Sequence, residues 1–347
     1  MKMKYVYGPV PSRRLGQSLG IDPIPFKTCN WNCVYCQLGR TSPLINERRD
    51  YFPPEEIVAE VMAAVQAHQP GQIDWITFVG SGEPTLHASL GAMIRQLKTA
   101  VALPIAVITN GSLLDRPEVR QELMAADAVL PTLDAGTEVL YQKINRPMPE
   151  LDFKRFVEGL VDFRRQYAGK LWVEVMLVAG LNDSEQALED LAVVLRRIGP
   201  DEVHVNSPVR SACEPWVRPT DEAGLARAAS ILGEVCRVVR PAEGWLDLSG
   251  FDNLVDAIVA VITRHPISEE ELVAALDRWN PGHVRESLEK LEQSGRAQVV
   301  IRDGKRFWSC AEARYVDETL SRRHENPSLV KACSGPLPKV ETDRLPE

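Results

Sequence analysis

The sequence predicts an α/β protein, a partial (β/α)6 barrel followed by a small second domain of helices and a hairpin. Three observations carry this. Between about residues 15 and 240, short apolar runs alternate with amphipathic stretches of helical period. Polar, glycine-rich segments follow one strand after another, as they do where a parallel sheet presents its C-terminal edge. After residue 250 the alternation stops, and three short helical patterns lead into an Asp-Gly turn.

The elements follow in order. "QSLGIDPIP" is the first strand. "PPEEIVAEVMAAVQAH" is a helix with Pro53 and Pro54 at its start and Ile57, Val61 and Val65 on one face. "IDWITFVG" is a buried strand, followed by the helix "LGAMIRQLKTA". "PIAVITNG" is the next strand, with its helix at "PEVRQELMAA". "DAVLPTLDA" and "LWVEVMLV" are further strands. "DSEQALEDLAVVLRRIG" is a helix that lines up Leu188, Leu191, Leu195 and Ile198, and "DEVHVNSP" is the sixth strand. Strands that alternate with helices make a parallel sheet covered on its faces. About six units fall short of the eight that close a barrel.

The second domain spans residues 250–312. "FDNLVDAIVAVITRHP" aligns Leu254, Ile258, Val261 and Ile262. "SEEELVAALD" opens with a capping box from Ser268 to Glu271. "NPGHVRESLEKLEQSG" has Asn280 as cap and Pro281 in the first turn, with Val284, Leu288 and Leu291 on one face. "QVVIRDGKRFW" is a hairpin turning at Asp303-Gly304. Three short helices and a hairpin resemble a winged helix. Residues 313–347 lack an apolar period and are expected to be a disordered tail.

Composition narrows the function classes. A net charge of −8 argues against a general polyanion binder. No apolar run reaches the roughly 18 residues needed to cross a bilayer. The start, "MKMKYVYGPVPSRR", has no apolar core of a secretory signal. The expected location is cytoplasmic, where thiols stay reduced.

The seven cysteines then need another explanation than disulfides. Three of them, Cys29, Cys33 and Cys36, stand at C-x3-C-x2-C directly after the first strand. Cys213, Cys236, Cys310 and Cys333 are scattered and fit no ligand spacing. Thiolates select zinc or an iron–sulfur cluster. A structural zinc site needs a fourth ligand, such as a distant histidine. A 4Fe–4S cluster on three cysteines leaves one iron open to another molecule.

The triplet, with Tyr35 before its last cysteine, resembles that of the radical S-adenosylmethionine (radical SAM) enzymes. The partial barrel is that superfamily's fold. The resemblance implies a 4Fe–4S cluster whose open iron binds S-adenosylmethionine. One electron then cleaves the sulfonium to a 5′-deoxyadenosyl radical, which abstracts hydrogen from substrate. Further motifs occur in the family's order. "GSGEPTL" resembles the Gly-Gly-Glu-Pro motif, which makes Gly80, Ser81, Gly82 and Glu83 cofactor contacts, with Gly82 and Glu83 at the methionine ammonium. Ser81 departs from the family's usual glycine. A plain strand-to-helix turn would explain the same residues. "ITNGSLL" resembles the next strand end, with Asn110 and Ser112 near ribose or carboxylate, and "TLDAGTE" the one after, with Asp134 near ribose hydroxyls. Asn, Ser and Asp also serve as ordinary turn residues. "INRP" and "NSPVR" bring Arg146, Asn206 and Arg210 to the same mouth as candidate contacts for a substrate carboxylate or phosphate.

"YGPVPSRRLGQSLGIDPIPFKTCNWNCVYCQLGR" resembles a narrower group, the stand-alone proteins related to wyosine-type tRNA synthases. That likeness implies an RNA base or nucleotide as substrate and an electron donor such as flavodoxin or ferredoxin. The synthases proper carry upstream cysteines or a flavodoxin domain; no cysteine precedes Cys29 here. The same chemistry on a peptide or small metabolite is the alternative, with the C-terminal domain docking a protein. A third reading, a metal-sensing DNA regulator, would need a basic recognition helix. Arg285 and Lys290 share theirs with Glu286, Glu289 and Glu292. Because every candidate ligand precedes residue 211, the C-terminal domain is expected to be independent of the cysteine site.

Overall fold

Apolar strands flanked by one-sided helices can bury themselves only by pairing in parallel and taking helices on their outer face. The computed structural model describes residues 3–240, 253–276, 279–302 and 304–316. Its first part runs β1 (Val6–Ser12), β2 (Gly16–Ile21), α1 (Pro54–Ala67), β3 (Trp75–Phe78), α2 (Leu90–Ala100), β4 (Ile105–Thr109), α3 (Pro117–Leu123), β5 (Ala128–Pro131), α4 (Glu138–Ile144) and α5 (Phe153–Gln166). It continues with β6 (Lys170–Met176), α6 (Glu185–Ile198), β7 (Glu202–Asn206), α7 (Glu222–Leu232) and β8 (Cys236–Val238).

The eight strands pair in sequence order, and all but β1 are parallel. β6 shows how the sheet is oriented. Leu171, Val173 and Val175 join the large core under the helices. The alternate residues Trp172, Glu174 and Met176 turn to the other, concave side. Trp172 packs there with Leu15 and Leu130.

The sheet corrects the expectation of six strands. β1 was hidden because "VYGPVPS" contains Gly8, Pro9 and Pro11, and proline is tolerated on an edge strand but not inside a sheet. β1 is that edge, antiparallel to β2. β8 is only three residues long. Two helices, α4 and α5, fill the gap between β5 and β6, each started by a side-chain cap from Thr137 or Asp152.

The second unit comprises α8 (Leu254–Arg264), β9 (Ile267–Ser268), α9 (Glu269–Ala275), α10 (Pro281–Gln293), β10 (Ala297–Arg302) and β11 (Lys305–Cys310). It has its own core, with Ile258, Ile262, Leu272, Val284, Leu288 and Trp308 buried together. β11 sits between β10 and β9 in an antiparallel sheet. The capping box at Ser268 and Glu271 and the Asn280 cap are both present. Asp303, the expected boundary near residue 250, and residues 317–347 of the expected tail lie outside the described residues.

One expectation about the chain beyond this unit changes. The chain does not leave the structure at residue 312. Residues 313–316 lie along the barrel, where Arg314 bridges to Gly39 and its carbonyl accepts from the Arg40 N–H at 2.6 Å. Tyr315 donates to the Gln37 carbonyl at 2.5 Å, and the Val316 N–H to the Cys213 carbonyl at 3.1 Å. The contacts of Arg314 and Tyr315 fall on the residues that follow Cys36. Gln37 Nε2 reaches the Arg264 carbonyl as well, at 3.3 Å. Such ties span almost the whole chain and leave no local mark on the sequence.

Tyr315→Phe removes the hydroxyl that joins this strap to Gln37. It is expected to cost about 1–2 kcal/mol locally. Amide exchange at Arg40, followed by mass spectrometry, should then quicken about 5–30-fold while exchange in α5 is unchanged. Equal exchange in both proteins would mean that the strap does not hold the loop.

Candidate active site

The polar segments singled out in the sequence all stand at the C-terminal ends of parallel strands. Residues 22–53 leave β2 without regular helix or strand and carry the three cysteines. Gly80–Glu83 follow β3, Asn110–Ser112 follow β4, Asp134 follows β5, and Asn206 ends β7. Parallel strands that start in register must finish at one edge, so these residues converge.

The cysteine loop approaches the turn after β3 at van der Waals limit. A Cβ on Gly82 would stand 2.0 Å from the Thr28 carbonyl oxygen, and one on Gly80, whose φ is +138°, would stand 2.2 Å from Asp22 Oδ1. The glycines here admit the neighbouring loop. Main-chain bonds fasten the contact, from the Lys27 N–H to the Ser81 carbonyl at 2.7 Å and from the Glu83 N–H to the Thr28 carbonyl at 2.9 Å. Asp22 accepts from both the N–H and the hydroxyl of Ser81.

Glu83 is buried and accepts four hydrogen bonds. Oε1 takes the Thr85 N–H, the Thr85 hydroxyl and the Thr109 hydroxyl at 3.0, 2.5 and 2.6 Å, and Oε2 takes the Asn110 N–H at 2.6 Å. Burial pushes its pKa up, and these donors pull it back. The carboxylate therefore caps the turn Pro84–Leu86 and ties the end of β3 to that of β4. Oε2 keeps one lone pair for a further donor.

Asn30 lies beneath. It is fully buried between Cys29 and Trp31. Its Oδ1 accepts from Asn110 Nδ2 at 2.8 Å, and its Nδ2 donates to Ser112 Oγ at 2.8 Å and to Asn46 Oδ1 at 2.9 Å. Asp134 plays the matching part on the other side. Its Oδ2 accepts from the Tyr35 hydroxyl and from Asn145 Nδ2, both at 2.6 Å, and its Oδ1 from the Met176 N–H at 2.7 Å. Burial, opposed by these donors, pushes its pKa up to about 6.

The cysteines themselves are half-buried and free. Donors face each sulfur. Lys27 Nζ is 3.1 Å from Cys36 Sγ, Asn110 Nδ2 3.7 Å from Cys29 Sγ, and Asn145 Nδ2 3.8 Å from Cys33 Sγ. Burial pushes the Cys29 thiol up to about 12 and raises Cys33 as well. Burial would lower the Lys27 ammonium, but thiolate charge at Cys36 and Cys29 outweighs it and raises its pKa. Among the described residues no three His, Cys, Asp or Glu side chains converge enough to hold a single metal ion. A multi-iron cluster makes a different demand, because each thiolate binds its own iron. Asn145 Oδ1, beside Cys33, is buried with no hydrogen-bond partner. The donor set fits a soft, multi-iron group facing the strand ends.

The arginines divide. Arg146, in a left-handed conformation at φ +47°, pairs with Glu214, and Arg40 reaches the same oxygen at 3.1 Å. Burial would raise the Glu214 carboxyl, but the two arginines hold it below its ordinary value. Arg146, a candidate substrate contact, thus carries an ion pair to Glu214. Arg210 has no such partner among the described residues. Sequence reading missed Lys27, Asn30, Thr85, Thr109 and Asn145. Only their closeness to the cysteines or to Glu83 in the chain hinted at them.

Residues 24–192 match the family model described as the radical SAM superfamily. The chain is 33% identical over 311 residues to the UPF0026 protein MJ1312 of Methanocaldococcus jannaschii, across 88% of this chain and 96% of that protein. It is 35% identical over 307 residues to a protein of Brachyspira hyodysenteriae called GTPase Obg, but spans only 45% of that protein's length. The solved structure of TYW1 with a lysine-pyruvate adduct bound aligns over 86% of this chain and 81% of that one, at 13% identity and a TM-score of 0.45. The chain belongs to the radical SAM superfamily, among its UPF0026 proteins.

Asn30→Ala leaves the amides of Asn110 and Asn46 and the hydroxyl of Ser112 without their shared partner. It is expected to destabilise the protein by about 2–4 kcal/mol. Urea unfolding at an unchanged slope would measure this. A loss below about 0.5 kcal/mol would remove Asn30 from the centre of the network.

Proposed function

We propose that the chain is a radical S-adenosylmethionine enzyme in which Cys29, Cys33 and Cys36 carry a 4Fe–4S cluster. The observation that carries the reading is the convergence of these three thiols with the turns after β3, β4 and β5 at one edge of a parallel sheet. When bound, the cluster supplies the electron that cleaves the cofactor's sulfonium to a 5′-deoxyadenosyl radical. The chain's own residues hold and orient. Lys27 offsets thiolate charge at Cys36. Glu83 offers its remaining lone pair to the methionine ammonium, beside the main chain of Gly80, Ser81 and Gly82. Asn110 and Ser112 line the path of the carboxylate and ribose, and Asp134 fixes the loop through Tyr35 where ribose hydroxyls would lie.

The substrate side is read as an RNA base or nucleotide, on the likeness of residues 7–40 to the wyosine-type group. A peptide or small metabolite is the alternative. Electrons would come from a flavodoxin- or ferredoxin-like donor. No helix among the described residues is long and apolar enough to cross a membrane. The C-terminal unit is read as a winged helix that docks a partner or guides substrate. What supports this is its order of elements, with β9 closing the sheet beside β11, and the charge of α10. Arg285 is taken by Glu269 at 3.2 Å and Lys290 by Glu286 at 2.7 Å, so neither cation on that helix is spare.

Anaerobic reconstitution tests the cluster. Iron analysis and EPR of the reduced protein should show a 4Fe–4S centre that Cys29→Ala, Cys33→Ala and Cys36→Ala each abolish. Stoichiometric zinc without iron uptake would overturn the reading. Dithionite and S-adenosylmethionine should release 5′-deoxyadenosine and methionine slowly without substrate.

Glu83→Gln removes the charge but keeps the shape of the turn. Equilibrium dialysis should show cofactor binding weakened about tenfold or more. Unchanged affinity would assign Glu83 to the strand ends alone.

Duplex DNA should show little binding to the full chain, and little salt dependence in what binding there is. A strong electrostatic binder would lose about 0.9 log units of affinity per log unit of salt for each phosphate neutralised. A slope of that kind over several phosphates would favour a nucleic-acid role for the C-terminal unit.

A further inference from the structure

Asp22, the residue after β2, is buried and meets groups from two distant parts of the chain. Its Oδ1 accepts the Ser81 N–H at 3.0 Å, and its Oδ2 accepts the Ser81 hydroxyl at 2.6 Å. Arg264 Nε, from the last turn of α8, lies 3.4 Å from the same Oδ2. The Asp22 N–H donates to the Tyr5 carbonyl at 2.8 Å, which fixes the backbone beneath the carboxylate.

Arg264 is placed for this contact from several sides. Its guanidinium lies over the Tyr7 ring, 4.8 Å from the centroid, and Nη2 donates to the Lys4 carbonyl at 3.3 Å. The Tyr7 ring rests on Gly20, where a Cβ would stand 2.3 Å from Tyr7 Cζ. The Arg264 carbonyl accepts from Gln37 Nε2 at 3.3 Å. Arg264 Nε makes no hydrogen bond, so what draws it to Asp22 is charge.

Ser81 spends every polar group it has on its neighbours. Its N–H and hydroxyl go to Asp22, and its carbonyl accepts the Lys27 N–H at 2.7 Å. A glycine at this place would keep the main-chain bonds and lose the hydroxyl's. A buried carboxylate needs donors and a countercharge to stay ionised. Burial raises the pKa of Asp22, and Arg264, followed by the Ser81 donors, pulls it back. Without the arginine the neutral acid is favoured, and its proton must point where the oxygen now accepts. We propose that Asp22 is a positioning residue for the cofactor turn Gly80–Glu83, and that Arg264 of the C-terminal unit sets how firmly that turn is held. The second unit then acts on cofactor affinity through one carboxylate. That the turn binds S-adenosylmethionine rests on the radical-enzyme reading; that Arg264 steadies it does not.

Amide exchange of the full chain as purified, followed by mass spectrometry, reads the turn without cluster or cofactor. Arg264→Gln should quicken exchange across residues 80–83 about 5–30-fold. Arg264→Lys should restore it toward the parent, because charge makes the contact. Ser81→Ala should quicken it as well. Joining Ser81→Ala to Arg264→Gln should add little, since both act on one carboxylate. Arg165→Gln, at an exposed ion pair on α5, should exchange like the parent. After cluster reconstitution, equilibrium dialysis should show S-adenosylmethionine bound about fivefold or more weakly by Arg264→Gln, at the parent's iron content.

Unchanged exchange in Arg264→Gln would overturn the proposal, as would failure of Arg264→Lys to rescue it or additive effects in the double variant. Quickened exchange with unchanged cofactor affinity would confine Asp22 to stability and overturn its positioning role. Should Arg264→Gln fail to fold, Ser81→Ala is read at the far end. Coupling is reciprocal, so exchange in the last turn of α8 should quicken about fivefold, and equal exchange there would overturn the link. Exchange as purified needs no cofactor. Failure of the parent to bind S-adenosylmethionine would therefore defeat the proposed function and leave the link between Arg264 and the turn standing.

Discussion

The irregular loop that carries the cysteines must be held still by something other than its own backbone pairing. Residues 22–53 contain no helix or strand, so their polar groups find partners elsewhere or stay wet. The partners are the ends of the parallel strands. Glu83 locks the end of β3 to that of β4. Asn30, in the loop itself, grips Asn110 and Ser112 beyond β4. Asp134, beyond β5, grips Tyr35. Each anchor is a buried polar residue with at least one bond that reaches across 20 or more residues. Burial in low dielectric makes such bonds strong when complete and costly when broken. The loop is therefore positioned by the sheet, and the sulfurs inherit the register of the strands.

This arrangement decides the local electrostatics. Without metal, burial favours the neutral thiols of Cys29 and Cys33. On the proposed reading a soft cation would make thiolates stable there, and metal uptake would be coupled to deprotonation. Lys27 supplies one positive charge in advance. Its left-handed backbone, at φ +60°, lets its N–H bond Ser81 while its ammonium turns to Cys36. An uncommon conformation for a lysine is held because both ends of the residue are engaged.

The same edge of the sheet is closed by the C-terminal unit. Arg264 meets Asp22, which also organises Ser81, and Tyr315 meets Gln37 just beyond Cys36. Asp22 is buried, and desolvation raises its pKa against the pull of Arg264 and Ser81. One carboxylate thus joins the turn after β3 to the second unit. Anything that moved that unit would be felt at the turn, because packed elements shift as bodies.

By itself the sequence determined which elements form and which residues stand at their ends. Apolar period sets strand and helix, and in a parallel sheet the residues after each strand share one edge, so Cys29, Gly82, Asn110 and Asp134 were legible as neighbours. The spacing of the three cysteines carries the proposed chemistry for the same local reason. Legibility failed where local pattern was weak or absent. The proline-bearing β1 and the three-residue β8 carry too little period to be read. Only the tertiary structure decided who bonds to whom. It saturated most of Glu83, committed Arg146 to Glu214, and brought Arg264 from another unit to Asp22. These outcomes depend on side chains separated by tens to hundreds of positions. Such pairings are selected by burial and charge after the chain has closed, and no short stretch of sequence encodes them.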